Sequence, residues 1–337
     1  MKTINYLCLS LFIFFHLLSC NDYNSLNYKS NITLINCDFI KFDEFIGKAD
    51  DIFLCDTLLI YYDYYDGTIY SAYDVKNDKF KGRFLSRGNG PNEVTLPIDI
   101  LSYKDSELYT YQRNTAIINS FELSEFKMLD NIKMTNEINS AQLIKAKDYY
   151  IGFGVFNNGR FGIYNSEAKL LYECGLFPYI GEDMNKASAF LMYQGHSCAN
   201  PDSNYFATGC TFSDNISFYE IHNNEVIKLN EYSSFDANVR IDNNSMKIND
   251  DCTIGYMAAF GTANYCYMLY CGKTLGECKN KGYGNEYIII FDWKGDYIRT
   301  LKSDYRIIDF CVDEINSTIY AIVLDQNGEC EIAKFKY

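Results

Sequence analysis

Two kinds of short apolar strand alternate along this chain from residue 58 onward. No part of that region carries the three-to-four-residue spacing of a long amphipathic helix. One kind opens near Leu58 and recurs near Leu108, Tyr149, Tyr205, Cys266 and Thr318, at intervals of 50, 41, 56, 61 and 52 residues. The other follows each of these after a polar turn, starting near Ile69, Ile117, Phe161, Ile216, Tyr287 and Glu331. Behind the second kind lie segments such as Asp74-Val75-Lys76-Asn77, Asn165-Ser166-Glu167 and His222-Asn223-Asn224. Asp and Asn bond their own backbone in such segments and start a tight hairpin. A fourth strand then follows, as in Tyr297-Ile298-Arg299-Thr300-Leu301.

Two strand classes at a shared period mean a repeated supersecondary unit, and six units of this length match four-stranded propeller blades. The predicted fold class is all-β, a six-bladed β-propeller of four-stranded blades. A two-sheet sandwich pair is the rival, and six near-equal repeats argue against it. The chain stops at Tyr337, just after the third strand of the sixth unit, which would leave that blade an unpaired edge. Residues Asn31 to Cys37 form a spare strand at the other end. They are predicted to supply the missing outer strand, so that the ring is closed by an N-terminal strand in the last blade.

Composition sharpens the picture. Of 337 residues 48% are hydrophobic and 22% charged, with 31 Tyr and 24 Phe against 4 Pro and 1 Trp. That is a folding composition, and its rings favour strands. A net charge of -14 excludes nucleic acid as a partner, because phosphate contacts need cations that are scarce here. The first residues are a different case. Lys2 precedes an apolar run from Leu7 to Leu18 that is too short for a membrane span, and Leu17-Leu18-Ser19-Cys20 closes it. This is a secretory signal, and its last four residues resemble a bacterial lipobox, whose Cys is acylated and becomes the first mature residue.

The expected organisation is a lipoprotein signal peptide over residues 1–19, a lipidated tether over 20–30 and the propeller over 31–337. The lipobox resemblance implies two or three acyl chains on Cys20, enough for stable membrane anchoring. Only Asn21 and Asp22 follow, without a tight acidic cluster, so the outer membrane facing the periplasm is preferred over the cell surface. Beyond Cys8 and Cys20, eleven of the 13 Cys remain, and no C-x-x-C pair offers a zinc or thioredoxin motif. Cys271 with Cys278, or Cys198 with Cys210, could form disulfides in an oxidising periplasm. Cys252, Cys266, Cys311 and Cys330 sit in apolar runs and read as small buried hydrophobes.

Two stretches carry a family resemblance. Arg87-Gly88-Asn89-Gly90-Pro91-Asn92-Glu93 is similar to a Gly-x-Gly-Pro-x-Glu signature that links first and second blades. The C-terminal third adds Tyr265 to Lys273, Ile289 to Gly295, Val312-Asp313-Glu314 and Ile319-Tyr320-Ala321. On these residues the chain resembles the TolB-like six-bladed propeller lipoproteins. The resemblance implies a fold and an envelope compartment, and no catalytic residues.

The two glycines and Pro91 make a sharp crossover, and such crossovers lie on the face of a propeller that usually binds partners. Arg87, Asn92 and Glu93 are therefore candidate rim-binding residues. His196 joins them, because the spacing sets it on the inner strand of blade four or its loop, towards the central channel. No nucleophile or orienting carboxylate is spaced around it, so no catalytic residue is predicted. Cys271-Gly272-Lys273-Thr274 lacks the earlier Gly of a phosphate loop, that position being Tyr267. Carboxylates such as Asp63, Asp99, Asp309 and Asp313 form no spaced oxygen-ligand motif, and neither a metal nor another cofactor is expected. The function expected is a non-enzymatic binding or scaffolding propeller, held to the membrane by its lipid, with another envelope protein or a glycan as partner. Two alternatives remain. One is a carbohydrate binder using tyrosine clusters such as Tyr61-Tyr62 and Tyr64-Tyr65; the other is a metal-dependent, lactonase-like hydrolase with ligands drawn from different blades.

Overall fold

The computed structural model describes residues 25–337 apart from 42–46, 48, 91, 136–139, 179–183, 235–236, 243–244, 282–283, 285 and 326–327. The signal segment, Cys20 and Pro91 lie outside the described residues. Among the described residues six blade sheets follow one another along the chain, each built on an antiparallel meander of four sequential strands except the last, and a two-stranded hairpin of Val239–Asp242 and Ser245–Ile248 stands between the fourth and fifth. Blade one runs Ile52–Cys55, Leu58–Tyr65, Thr68–Asp74 and Lys79–Arg87, from inner to outer strand. The inner strands of blades two to six are Ile98–Lys104, Gln142–Lys145, Gly195–Ala199, Thr253–Gly261 and Arg306–Asp313. All twelve second and third strands begin within one residue of the starts that the repeat predicts.

The core is not at the centre of the ring but between blades. Six separate apolar clusters fill the six gaps between neighbouring blades. Alternation within one strand shows how a continuous apolar run comes about. On the third strand of blade five, Ile288 and Ile290 pack towards blade six, while Ile289 and Phe291 pack towards blade four. A strand buried on both faces needs no polar side and reads as unbroken hydrophobicity. Where blades crowd, side chains shrink. A Cβ on Gly209 of blade four would come within 2.6 Å of Met268 and of the Tyr256 ring in blade five.

Ring closure uses the start of the chain, with a different division of labour from the one predicted. Cys37–Phe39 is the outer strand of blade six, paired antiparallel with Cys330–Lys336 through Cys37 opposite Phe335 and Phe39 opposite Ala333. Ile32–Ile35 instead runs parallel to Tyr297–Ser303, the outer strand of blade five. Only Cys37 of the predicted stretch takes part in the closing strand. The reason is packing: Ile35 drops into the core between blades five and six, and Phe39 meets Tyr305 edge-on at 5.1 Å. One segment thus stitches the rims of two blades. Upstream, Leu26 and Tyr28 pack against blade five, and the Tyr28 ring lies 5.0 Å from that of Tyr270.

Among the described residues two short helices interrupt the strands. Lys186–Met192 is capped by Asn185, whose side chain accepts from the Ser188 N–H at 2.8 Å. Leu275–Lys281 stands where the sequence, with Gly276, Gly282 and Gly284, reads as a long flexible hairpin loop. Thr274 and Glu277 form a reciprocal cap at its start, each side chain accepting from the other's N–H. Among the described residues no helix is long and apolar enough to cross a membrane.

Candidate functional site in the axial channel

Each blade repeats the same meander, so all six inner strands run the same way along the axis and their starts share one mouth. Between them lies a cavity of about 890 Å³, walled by every inner strand. Two acid residues of the wall interrupt apolar sequence. Asp51 stands directly before Ile52-Phe53-Leu54, and Asp309 splits Ile307-Ile308 from Phe310.

Their carboxyls meet. Asp309 accepts the Ile52 N–H at 3.1 Å and that of Phe310, and it also takes a hydrogen bond from the Asp51 carboxyl. Asp51 in turn accepts from the Ile100 N–H. The pair therefore joins the inner strands of blades six, one and two across the closure. Burial is the main cause that raises both carboxyls; the charges of Asp309, Asp99 and Asp50 raise Asp51 further, whereas Asp309 is raised by Asp50 and eased down by the hydrogen bond from Asp51. Asp309 is pushed up to about 7, and Asp51 lies well above the carboxylate range. Two carboxyls this close share one proton.

Beside them, Arg113 clamps Asp99 with Nε on Oδ2 at 2.6 Å and Nη2 on Oδ1. That fork holds the start of the blade-two inner strand against the third-strand approach, where Arg113 N–H also reaches the Pro97 carbonyl at 3.1 Å. His196 lines the same cavity. Burial, and then the Arg113 charge, push its imidazole down to about 4, so it is neutral at neutral pH. At the other mouth the Tyr103 hydroxyl donates to Asp56 at 2.5 Å, and Lys145 lies 4.6 Å from the Tyr150 ring. Burial lowers Lys145 to about 8. Ile315, 96% exposed, sits on that rim beside Glu314 and Asn316.

The other residues singled out from the sequence lie apart from His196. Arg87, Asn92 and Glu93 are exposed on the crossover that leaves blade one, and none of them lines the cavity. Glu93 Oε2 accepts the Gly90 N–H at 2.7 Å, and Asn92 takes a positive φ of 65°. The carboxylate folds back over Gly88 and Gly90, which leave room for it: a Cβ on Gly88 would fall 1.9 Å from Oε2, and the positive φ that the glycines would allow is taken by Asn92 instead. Asp63 is also accounted for within the fold, accepting from Gly47 N–H and Ser71 hydroxyl at 2.6 and 2.9 Å. The sequence reasoning passed over Asp51 and Arg113, and it named Asp309 only as one carboxylate among many. The signal available was a charged residue inside or against an otherwise apolar inner strand. Among the described residues no group of three His, Cys, Asp or Glu side chains is placed to hold a metal ion.

Solved structures with this fold include a Bacteroides fragilis NCTC 9343 protein described as exported, at 12% identity and a TM-score of 0.56 over 94% of this chain and 96% of that one. U3-55K follows at 6% identity and 0.51, over 89% and 98%, and the WD40 repeats of RRP9 at 6% and 0.50, over 89% and 97%. At these identities the likeness concerns the fold alone. Among curated proteins no sequence match is found. The family model described as TolB-like 6-blade propeller-like matches residues 38–315, the blades from the closing strand to the inner strand of blade six. With six blades, an axial cavity and a match over most of its length, the chain belongs to the TolB-like six-bladed propeller family.

Proposed function

We propose that this protein is a non-enzymatic binding propeller of the bacterial envelope, tethered by acylated Cys20 on the periplasmic side of the outer membrane, whose axial channel receives the cationic group of a ligand. The observation that carries the binding part is the charge balance of the cavity wall. Asp50, Asp51, Asp56, Asp99, Asp309, Asp313 and Glu314 line it, against Arg113 and Lys145. Arg113 is already committed to Asp99, so an incoming ammonium meets an excess of carboxylate oxygen within low-dielectric walls that focus the field. A ligand cation would release the proton shared by Asp51 and Asp309 and take its place. Amino sugars of an envelope glycan and lysine side chains of an envelope protein both carry such a group. The signal and lipobox support the tether.

Calorimetric titration with spermidine tests the channel, with a neutral N-acetylated chito-oligosaccharide as the second probe. The expected result is salt-sensitive spermidine binding that is about tenfold weaker, or absent, in the Asp51→Asn/Asp309→Asn variant. Spermidine binding of equal strength in that variant overturns the assignment, and so does binding of the neutral sugar alone, which would favour the carbohydrate alternative. For the tether, labelled palmitate should enter the wild-type chain and not Cys20→Ala; equal labelling, or none in either, overturns it.

A further inference from the structure

Two sulfur–sulfur contacts stand out at the junction of blades four and five. Cys198, on the inner strand of blade four, has its Sγ 3.5 Å from that of Cys266, on the second strand of blade five. Cys271, farther along that second strand, has its Sγ 3.6 Å from Cys278 in the helix Leu275–Lys281. Exposures are 6% and 0% for the first pair and 1% for each member of the second. Pairing of Cys198 with Cys210, one of the two arrangements raised from the sequence, is not what the fold sets up. Cys210 Sγ lies instead against the Tyr193 carbonyl at 3.7 Å and Arg160 at 3.9 Å.

The surroundings hold each pair in register. The Asn200 side chain donates to the Ala263 carbonyl at 2.8 Å, and Trp293 Nε1 to the Thr262 carbonyl at 3.0 Å. A Cβ on Gly261 would strike the Ala199 carbonyl oxygen at 2.2 Å, so the two blades approach closely beside Cys198. For the second pair, the cap between Thr274 and Glu277 fixes the start of the helix that carries Cys278. Bonded sulfurs stand about 2.05 Å apart with χ3 near 90°, and facing thiols already in van der Waals contact reach that arrangement by side-chain torsion. Buried cysteines acting only as small hydrophobes have no need to meet in pairs.

We propose that, when the chain folds in an oxidising environment, Cys198 bonds to Cys266 and staples blade four to blade five, while Cys271 bonds to Cys278 and ties the helix to its strand. Each bond forms by thiol–disulfide exchange. A cysteine thiolate attacks the disulfide of an oxidant such as glutathione disulfide, releasing one glutathione thiolate and leaving a mixed disulfide. The partner cysteine then displaces the second glutathione. Two protein thiols are oxidised and one oxidant disulfide is reduced to two thiols. Burial raises the thiols of Cys266 and Cys271, so exchange in the finished fold is slow and the bonds form as the blades dock, while the thiols are still reached by the oxidant. They are structural crosslinks that resist mild reductant until the protein unfolds.

Refolding the mature chain in a glutathione redox buffer tests this without reference to its location in the cell. Free thiols are then alkylated in denaturant, and the peptides are mapped with and without reduction. Peptides holding Cys198 and Cys266 should appear linked, as should the Cys271 and Cys278 positions, while the other cysteines carry the alkyl group. Alkylation of all four without reduction overturns the proposal, and a different partner for any of them overturns it for that pair. In the single variant Cys198→Ser, Cys266 should become alkylated while the Cys271–Cys278 link persists. Loss of that second link as well would show the two pairs to be one exchanging set, and would overturn their assignment as separate staples.

Discussion

The junction between blades six and one and the junction between blades four and five solve the same packing problem with different chemistry. At the first, the covering strand Cys37–Phe39 comes from the far end of the chain, and the inner strands are tied by the proton-sharing carboxyls of Asp51 and Asp309. At the second, consecutive segments meet through rings and sulfur, with Phe218 5.1 Å and Tyr232 6.0 Å from Phe291, and Cys198 against Cys266. The closure joins segments hundreds of residues apart, so it bears the largest chain-entropy cost in the ring and depends on backbone pairing that nothing local enforces. Its polar ties also make it the junction that responds to protons. The blade-four junction is apolar and answers to redox conditions instead.

Removing the closing segment should break this comparison most severely. A chain beginning at Lys41 lacks the partner of Cys330–Lys336 and the cover that Ile35 gives to the core. The open edge would then recruit other chains. The expected loss is about 5 kcal/mol or more, the scale of a whole domain's margin, seen as a non-cooperative melt by circular dichroism together with rising light scatter. A cooperative melt at an unchanged temperature would mean that blade six holds without its fourth strand. Next in size, Phe291→Ala at the other junction should cost ~3–5 kcal/mol in denaturant unfolding. That loss should be the same at every pH, since the site is apolar.

The strands were legible in the sequence and the junctions were not, for physical reasons. Residues 287–291 announce a strand because both faces are buried, one against each neighbouring blade, and the same double burial recurs six times. Which residues meet across the axis is another matter. Ile52 and Asp309 are 257 positions apart and touch only because the ring closes. An aspartate in an inner strand reads locally as one polar position among many. His196 could be placed towards the channel by counting blades, but its neighbour Arg113 could not. Cys198 was paired with the nearer cysteine in sequence, whereas blade stacking presents Cys266. The closing strand was assigned to the right end of the chain, and its division between two blades depends on how deep Ile35 can sink.

Titration separates the two junctions by a smaller amount. The folded closure keeps a proton that an unfolded aspartate releases above 3.8 and that Asp309 holds to about 7. Its contribution is complete below 3.8 and is lost as pH rises towards 7. His196 works the other way, since its folded form is neutral down to about 4 while the unfolded imidazole takes a proton below 6.5. Its contribution is present above 6.5 and is lost as pH falls towards 4. The Asp51→Asn/Asp309→Asn variant removes both raised carboxyls and leaves the histidine. This variant should show stability rising between about pH 4 and 6.5, by on the order of 1 kcal/mol because the groups border channel water. Wild type should be flatter, the two slopes opposing one another. Identical melting curves for the two proteins from pH 4 to 7 would remove the shared proton from the account of the closure.

Glu93→Ala should have the smallest effect, and it sharpens the comparison because the crossover lies beside the closure without belonging to it. The Glu93 carboxylate accepts from the Gly90 N–H and occupies the space where a Cβ on Gly88 would fall, 1.9 Å from Oε2. Both partners are exposed, so water replaces the lost acceptor and the cost should be ~0.5–1 kcal/mol. If ligand recognition resides in the channel, spermidine should bind this variant as it binds wild type, while the Asp51→Asn/Asp309→Asn variant fails to bind. If the rim residues recognise the ligand, the order reverses: Glu93→Ala and Arg87→Ala lose binding, Arg87→Ala with the wild-type melting temperature and Glu93→Ala with only its small loss of stability. Both measurements on both variants assign recognition to the channel wall or to the crossover, since the two regions share no residue and no hydrogen bond given above connects them.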